Sequence, residues 1–132
     1  MKFTTKGDYG LALMIGLARQ HGSGSISLRE LATNEQIPYA YAEQLIARLK
    51  RAKLLKSLRG MKGGYALTKA PNQITVQEIL RALEDHGLVP CQREGKSCPK
   101  QEGCTTHNVW EVLQETLDKK MHEIKLVDLI NN

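Results

Sequence analysis

SLRELATNEQIPYAYAEQLIARLKRA, from Ser27 to Ala52, is the stretch that decides the fold. Ser27-Leu28-Arg29-Glu30 matches a capping box, in which the Ser27 hydroxyl accepts the third backbone N–H and Glu30 reaches back to the cap. A short helix is therefore expected over about 28–35. Ile37-Pro38 interrupts the pattern, and Pro38 suits a first helical turn because its missing N–H would have no partner there. The next helix is expected over about 39–52. Ala42, Leu45, Ile46, Leu49 and Ala52 recur at helical spacing, while Tyr41, Gln44, Arg48 and Arg51 share another face. Two helices joined by a tight turn, the second polar and basic outside, form a helix-turn-helix pattern.

Upstream, about 5–20 lacks Pro and is apolar on several faces between Leu11 and Ala18, which predicts a buried helix; Gly22-Ser23-Gly24-Ser25 ends it. Downstream, 54–58 and 65–67 read as short strands around Arg59-Gly60-Met61-Lys62-Gly63-Gly64, whose glycines permit a hairpin tip. Thr75-Val76-Gln77-Glu78 offers a second capping box and starts a helix to about residue 85. Val109, Val112, Leu113, Thr116, Leu117, Met121, Ile124, Val127 and Ile130 then recur at three and four, predicting one long amphipathic helix. Its Leu113, Leu117, Met121 and Ile124 are expected to meet a partner subunit, because a small domain has little other surface to cover that stripe. The fold expected is mostly α: a winged helix-turn-helix with a two-stranded wing and a long C-terminal dimerisation helix. Residues 1–85 would form the DNA-binding domain, 86–107 a ligand-binding loop and 108–132 the dimerisation helix.

The formal charge of +5 is unevenly spread. From Gln44 to Gln77 there is no acid, and eight Lys and Arg make that segment +8, leaving −3 elsewhere. A basic stripe confined to one segment is the footprint of phosphate neutralisation. Duplex DNA is the expected partner. Tyr41, Gln44 and Arg48 on the second helix of the pair are placed to meet base edges, Gln toward adenine and Arg toward guanine. Glu43 repels phosphate but accepts from cytosine, so it would select among sites. Arg59 at the wing tip suits a narrow minor groove, with Lys62 following the phosphates. No secretory leader and no membrane-spanning stretch is visible, so a cytoplasmic location is expected. Nothing pairs a nucleophile, base and oxyanion donors, so the chain does not read as an enzyme.

Three cysteines, Cys91, Cys98 and Cys104, fall in one short loop, with His107 two residues after the last. An odd count in a reducing compartment disfavours a disulfide framework. Their neighbours are Gln, Arg, Lys, Gly and Pro, so a purely hydrophobic role does not explain the clustering. Thiolates with one imidazole suit an iron-sulfur cluster or zinc, although the tight turn common in structural zinc sites is absent; redox thiols are the third option.

Thr5-Lys6-Gly7-x-Tyr9, Ile37-Pro38, Arg59-Gly60-x-Lys62-Gly63-Gly64-Tyr65 and Cys104-x-x-His107-x-x-Trp110 complete a further pattern. In these features the chain resembles the IscR and NsrR family of winged-helix regulators over essentially its full length. The resemblance implies a homodimer crossed by its last helices, each subunit holding an iron-sulfur cluster that responds to cluster supply, oxidants or nitric oxide. The Cys-Cys-Cys-His set is similar to that of IscR. This implies a 2Fe-2S cluster on Cys91, Cys98, Cys104 and His107, in a repressor or dual regulator of iron-sulfur assembly genes. Asp8 matches the N-terminal aspartate by which NsrR-like members hold a 4Fe-4S cluster across the dimer; it also reads as a first-turn acid favoured by the helix dipole. A thiol redox module without DNA affinity, and a zinc-stabilised repressor, are the competing classes.

Overall fold

The computed structural model of the protein describes residues 3–60, 63–85, 87–89 and 103–131. Helix α1 spans Thr5–Arg19, α2 Leu28–Asn34 and α3 Tyr39–Arg51. Strands β1 (Leu55–Leu58) and β2 (Gly64–Leu67) pair antiparallel, and α4 (Val76–Leu83) and α5 (His107–Glu123) follow. The expected mostly α winged helix-turn-helix is thus the fold.

Helix α2 starts where Ser27 accepts from the Glu30 N–H at 3.1 Å, although the Glu30 carboxylate does not complete the box. The α2–α3 turn is closed without glycine. Gln36 adopts a left-handed φ of 56°, which lets the Ile37 N–H reach Ala32 O at 2.9 Å and the Gln36 N–H reach Thr33 O at 3.2 Å. Lys53, at φ 63°, ends α3 in the same way. Pro38 stands just before α3 rather than within its first turn, in an extended conformation, and its carbonyl accepts the Ala42 N–H at 2.9 Å.

Leu13, Met14 and Leu17 of α1, Leu31 of α2, Leu45 and Leu49 of α3, and Ile79 and Leu83 of α4 meet in one core. Their burial is the main favourable term. α1 approaches α4 closely because Gly10 leaves room for the Leu83 side chain, whose Cδ1 would collide with any added Cβ. In the wing, Leu55 faces Leu67 and Leu58 faces Gly64. Ile26 adds a bridge to Tyr65, and a Cβ on Gly64 would strike the Ile26 carbonyl.

The last helix departs from expectation. It ends at Glu123, not near residue 132, because Ile124 turns extended and the chain pairs with the segment leading into α4. Val76 N–H donates to Ile124 O at 3.0 Å, and Leu126 N–H to Ile74 O at 2.8 Å; Ile74 and Leu126 are both fully buried. A 3-10 turn, Leu126–Leu129, closes the fold. Met121 is buried within the chain itself, whereas Val109, Val112 and Leu113 are exposed on α5.

Thr75 and Glu78 form the complete capping box of α4: Thr75 N–H donates to Glu78 Oε2 at 2.8 Å and Glu78 N–H to Thr75 Oγ1 at 3.1 Å. Lys69 Nζ donates to the other carboxylate oxygen at 3.1 Å. Burial pushes the Glu78 carboxyl up, but the Thr75 N–H, the Lys69 ammonium and the Thr75 hydroxyl together outweigh it and hold the group below its ordinary 4.5. A lowered folded pKa adds stability that is present above pH 4.5 and is lost as pH falls through the folded value. Urea unfolding between neutral and acidic pH should therefore show an acid-dependent loss of stability that is smaller in Glu78→Gln.

Candidate nucleic-acid interface

α3 packs Ala42, Leu45, Ile46 and Leu49 inward, which leaves Tyr39, Ala40, Glu43, Gln44, Ala47, Arg48, Lys50 and Arg51 outside. Between this face and the wing runs a groove of about 620 Å³, lined in part by Tyr39, Glu43, Ala47 and Lys50 of α3 and by Leu58 and Gly63 of the wing. Lys50 Nζ donates to Ser57 Oγ on β1 at 2.9 Å, fixing the wing against α3. Arg59 is exposed just past β1, followed by Gly60 at φ 132°, a conformation that favours glycine. Gly63 N–H closes the tip onto Gly60 O at 2.9 Å. The result is an open-sided groove flanked by a helix and a hairpin, with Glu43 and Lys50 both on its wall.

The sequence-predicted residues divide. Glu43 lines the groove, and Gln44 and Arg59 are exposed. Tyr41 is half-buried, its ring edge-on to Tyr9 of α1 with centroids 5.8 Å apart. Arg48 turns toward the end of α4, where Nη1 donates to Leu83 O at 3.4 Å. Lys62 lies outside the described residues. Tyr39 and Lys50 were not singled out by sequence, yet they share the groove-lining side of α3 with Glu43, four residues apart and seven residues apart respectively. That spacing was the available signal.

The cluster candidates divide too. Cys91 and Cys98 lie outside the described residues. Cys104 is half-buried, with Sγ 3.6 Å from Thr106 Oγ1. His107 is the first residue of α5; its N–H donates to Cys104 O at 3.4 Å, and its Nε2 lies 3.7 Å from Glu111 Oε2. A thiol and an imidazole thus flank one helix start, a donor set that fits iron or zinc. Asp8 is exposed in the first turn of α1. Among the described residues no three His, Cys, Asp or Glu side chains gather as a metal site.

The order helix, turn, helix, wing, with an open polar face on the second helix, defines a winged-helix regulator of transcription. Residues 3–132 match the Rrf2 family, described as "Iron-dependent Transcriptional regulator", and the chain belongs to that family. It is similar to the HTH-type transcriptional regulator IscR of Cronobacter sakazakii, 35% identical over 133 residues, covering 100% of this chain and 82% of that protein. T. potens IscR superposes with a TM-score of 0.82 at 36% identity, covering 99% of this chain and 87% of that one. CymR, the global cysteine regulator of B. subtilis, also superposes at 0.82, with 34% identity over 99% of this chain and 97% of that one. The relatives are transcription regulators, and this protein is one rather than an enzyme. No helix among the described residues is long and apolar enough to cross a membrane.

Arg48 is expected to contribute to folding through its bond to Leu83 O. Arg48→Met, which keeps an apolar stem and removes the donor, should lower unfolding free energy by about 1 kcal/mol. Gln44→Ala should leave it within about 0.5 kcal/mol of wild type. Paired urea titrations compare the two.

Proposed function

We propose that this Rrf2 regulator reads duplex DNA through α3 and the wing, and senses iron-sulfur status through a 2Fe-2S cluster on Cys91, Cys98, Cys104 and His107. The observation that carries the reading is the Cys104-x-x-His107 pair at the start of α5, one thiol and one imidazole on the loop that links the DNA-binding elements to that helix. When bound, the cluster supplies a centre whose gain or loss is the signal. Iron-sulfur assembly genes, which the resemblance to IscR implies, are the proposed targets.

The chain's own residues give that signal a route. The loop begins where Arg48 of α3 bonds Leu83 O, and where the Glu84 carboxylate accepts from Thr4 N–H at 2.8 Å and Gly7 N–H at 3.0 Å in α1. Leu88 N–H donates to Gln114 Oε1 of α5 at 2.9 Å. Drawing the loop's thiols together acts on both anchors, and so on the relative setting of α3 and α5.

Glu43, Gln44 and Arg59 carry base reading, with Lys62 and the remaining cations following phosphates; Tyr41 and Arg48, on the same side of α3 as Gln44, also tie α3 to α1 and α4. Gln44→Ala should cost about 1 to 3 kcal/mol on a duplex selected from a random pool and much less on mixed sequence. Glu43→Ala should broaden the set of duplexes bound, because a repulsive element goes. Parallel footprint titrations on both substrates decide, and an unchanged ratio between them removes base reading from either residue.

Val109, Val112 and Leu113, exposed together on α5, are proposed to pair with a second copy of the chain. Leu113→Asp should give monomers in sedimentation at micromolar concentration, and a persistent dimer would move the interface elsewhere.

Anaerobically purified protein should be coloured and contain equal iron and sulfide. His107→Ala should abolish or shift the visible spectrum while Asp8→Ala leaves it intact. The reverse outcome assigns an NsrR-like 4Fe-4S site that uses Asp8, and colourless, iron-free protein sinks the cluster reading altogether.

A further inference from the structure

Arg29 stands in the first turn of α2, where a cation opposes the helix dipole instead of complementing it. Among the described residues no carboxylate forms an ion pair with it. Its guanidinium carbon lies 4.6 Å from the centroid of the Tyr39 ring, and Tyr39, 39% exposed, is the first residue of α3 and part of the groove wall beside Glu43. Helix stability explains neither residue's placement. A cation from α2 is instead held over an aromatic face at the rim of the reading groove.

We infer that Arg29, stacked on Tyr39, is a phosphate contact that sets the register of α3 on duplex DNA. This rests on the proposal that α3 reads DNA. A guanidinium held over an aromatic ring can still offer N–H groups outward, and their planar fork matches phosphate oxygens. The first helix of a helix-turn-helix crosses the backbone beside the groove that the second helix enters, which is where Arg29 is held. A contact there positions the protein without reading sequence. Tyr39 is the positioning residue: its ring, not its hydroxyl, orients the cation.

The test measures binding of wild type, Arg29→Ala, Arg29→Lys, Tyr39→Phe and Tyr39→Leu to a selected duplex and to a mixed-sequence duplex across a potassium chloride series, with thermal melts to show that each variant is folded. Arg29→Ala should bind about tenfold more weakly on both duplexes alike, with a log–log salt slope shallower by about one per bound subunit. Arg29→Lys should keep the slope and recover only part of the affinity, since an ammonium lacks the planar fork. Tyr39→Phe should match wild type, whereas Tyr39→Leu should weaken binding with the slope retained. An unchanged slope and affinity in Arg29→Ala overturns the inference, as does a loss confined to the selected duplex, which would make Arg29 a base reader. Equal losses in Tyr39→Phe and Tyr39→Leu overturn the role of the ring. Wild type that binds neither duplex sinks the DNA-reading proposal as well, so the two failures are distinct.

Discussion

A single carboxylate ties the start of α1 to the end of α4. The first turn of α1 leaves backbone N–H groups without helical partners, and Thr4 does not cap them with its own hydroxyl. Glu84, arriving from 80 residues away, accepts from Thr4 N–H at 2.8 Å, from Thr4 Oγ1 at 2.6 Å and from Gly7 N–H at 3.0 Å. A negative group at a helix N-terminus is favoured by the dipole as well as by the hydrogen bonds. The arrangement dictates sequence elsewhere. A Cβ on Gly7 would come within 2.5 Å of Glu84 Oε1, and the next turn must be glycine again so that Leu83 can fill the space at Gly10. With Arg48 bonding Leu83 O, the first, third and fourth helices all converge on residues 83 and 84.

Local signals made much of this legible in the sequence. Ser27 and Thr75 announce their helices because a cap acts within four residues, and the apolar spacing of Ala42, Leu45, Ile46 and Leu49 gives both the α3 helix and its buried face. What escaped is long-range or conformational. Nothing in Gln36 or Lys53 advertises a left-handed turn, since the preference that would mark it belongs to glycine. The spacing that suggested a helix to residue 132 runs on past Glu123 through Ile124, Val127 and Ile130; Ile130 packs against the core beside buried Leu126, after the backbone has left the helix. Apolar recurrence reports burial, and only pairing partners decide the backbone that provides it.

The same limit governs the interface. Tyr41, Gln44 and Arg48 share one side of α3 on a helical projection, but the projection does not say where α1 and α4 stand. Tyr9 packs against Tyr41, and Arg48, itself exposed, reaches the Leu83 carbonyl, while the groove wall runs through Tyr39, Glu43 and Lys50. Tyr41 and Arg48 thus also help to hold α3 against α1 and α4. Rigid support of this kind matters, because a reading helix that rocks loses the alignment on which base discrimination depends.

In the proposed reading, charge gives the groove its selectivity. The acid-free segment is bounded by Glu43 and Glu78, and the two acids differ in their surroundings. Glu78 is bonded by Thr75 and Lys69, so its charge is compensated within the fold. Glu43 lines the groove, with Lys50 on the same wall. An acid in that position lowers affinity for every duplex through repulsion, and the loss is recovered only where a base edge donates a hydrogen bond to it. The +8 segment from Gln44 to Gln77 favours DNA of any sequence, and in the proposed reading Glu43, the acid at its border, makes that attraction conditional on the sequence beneath.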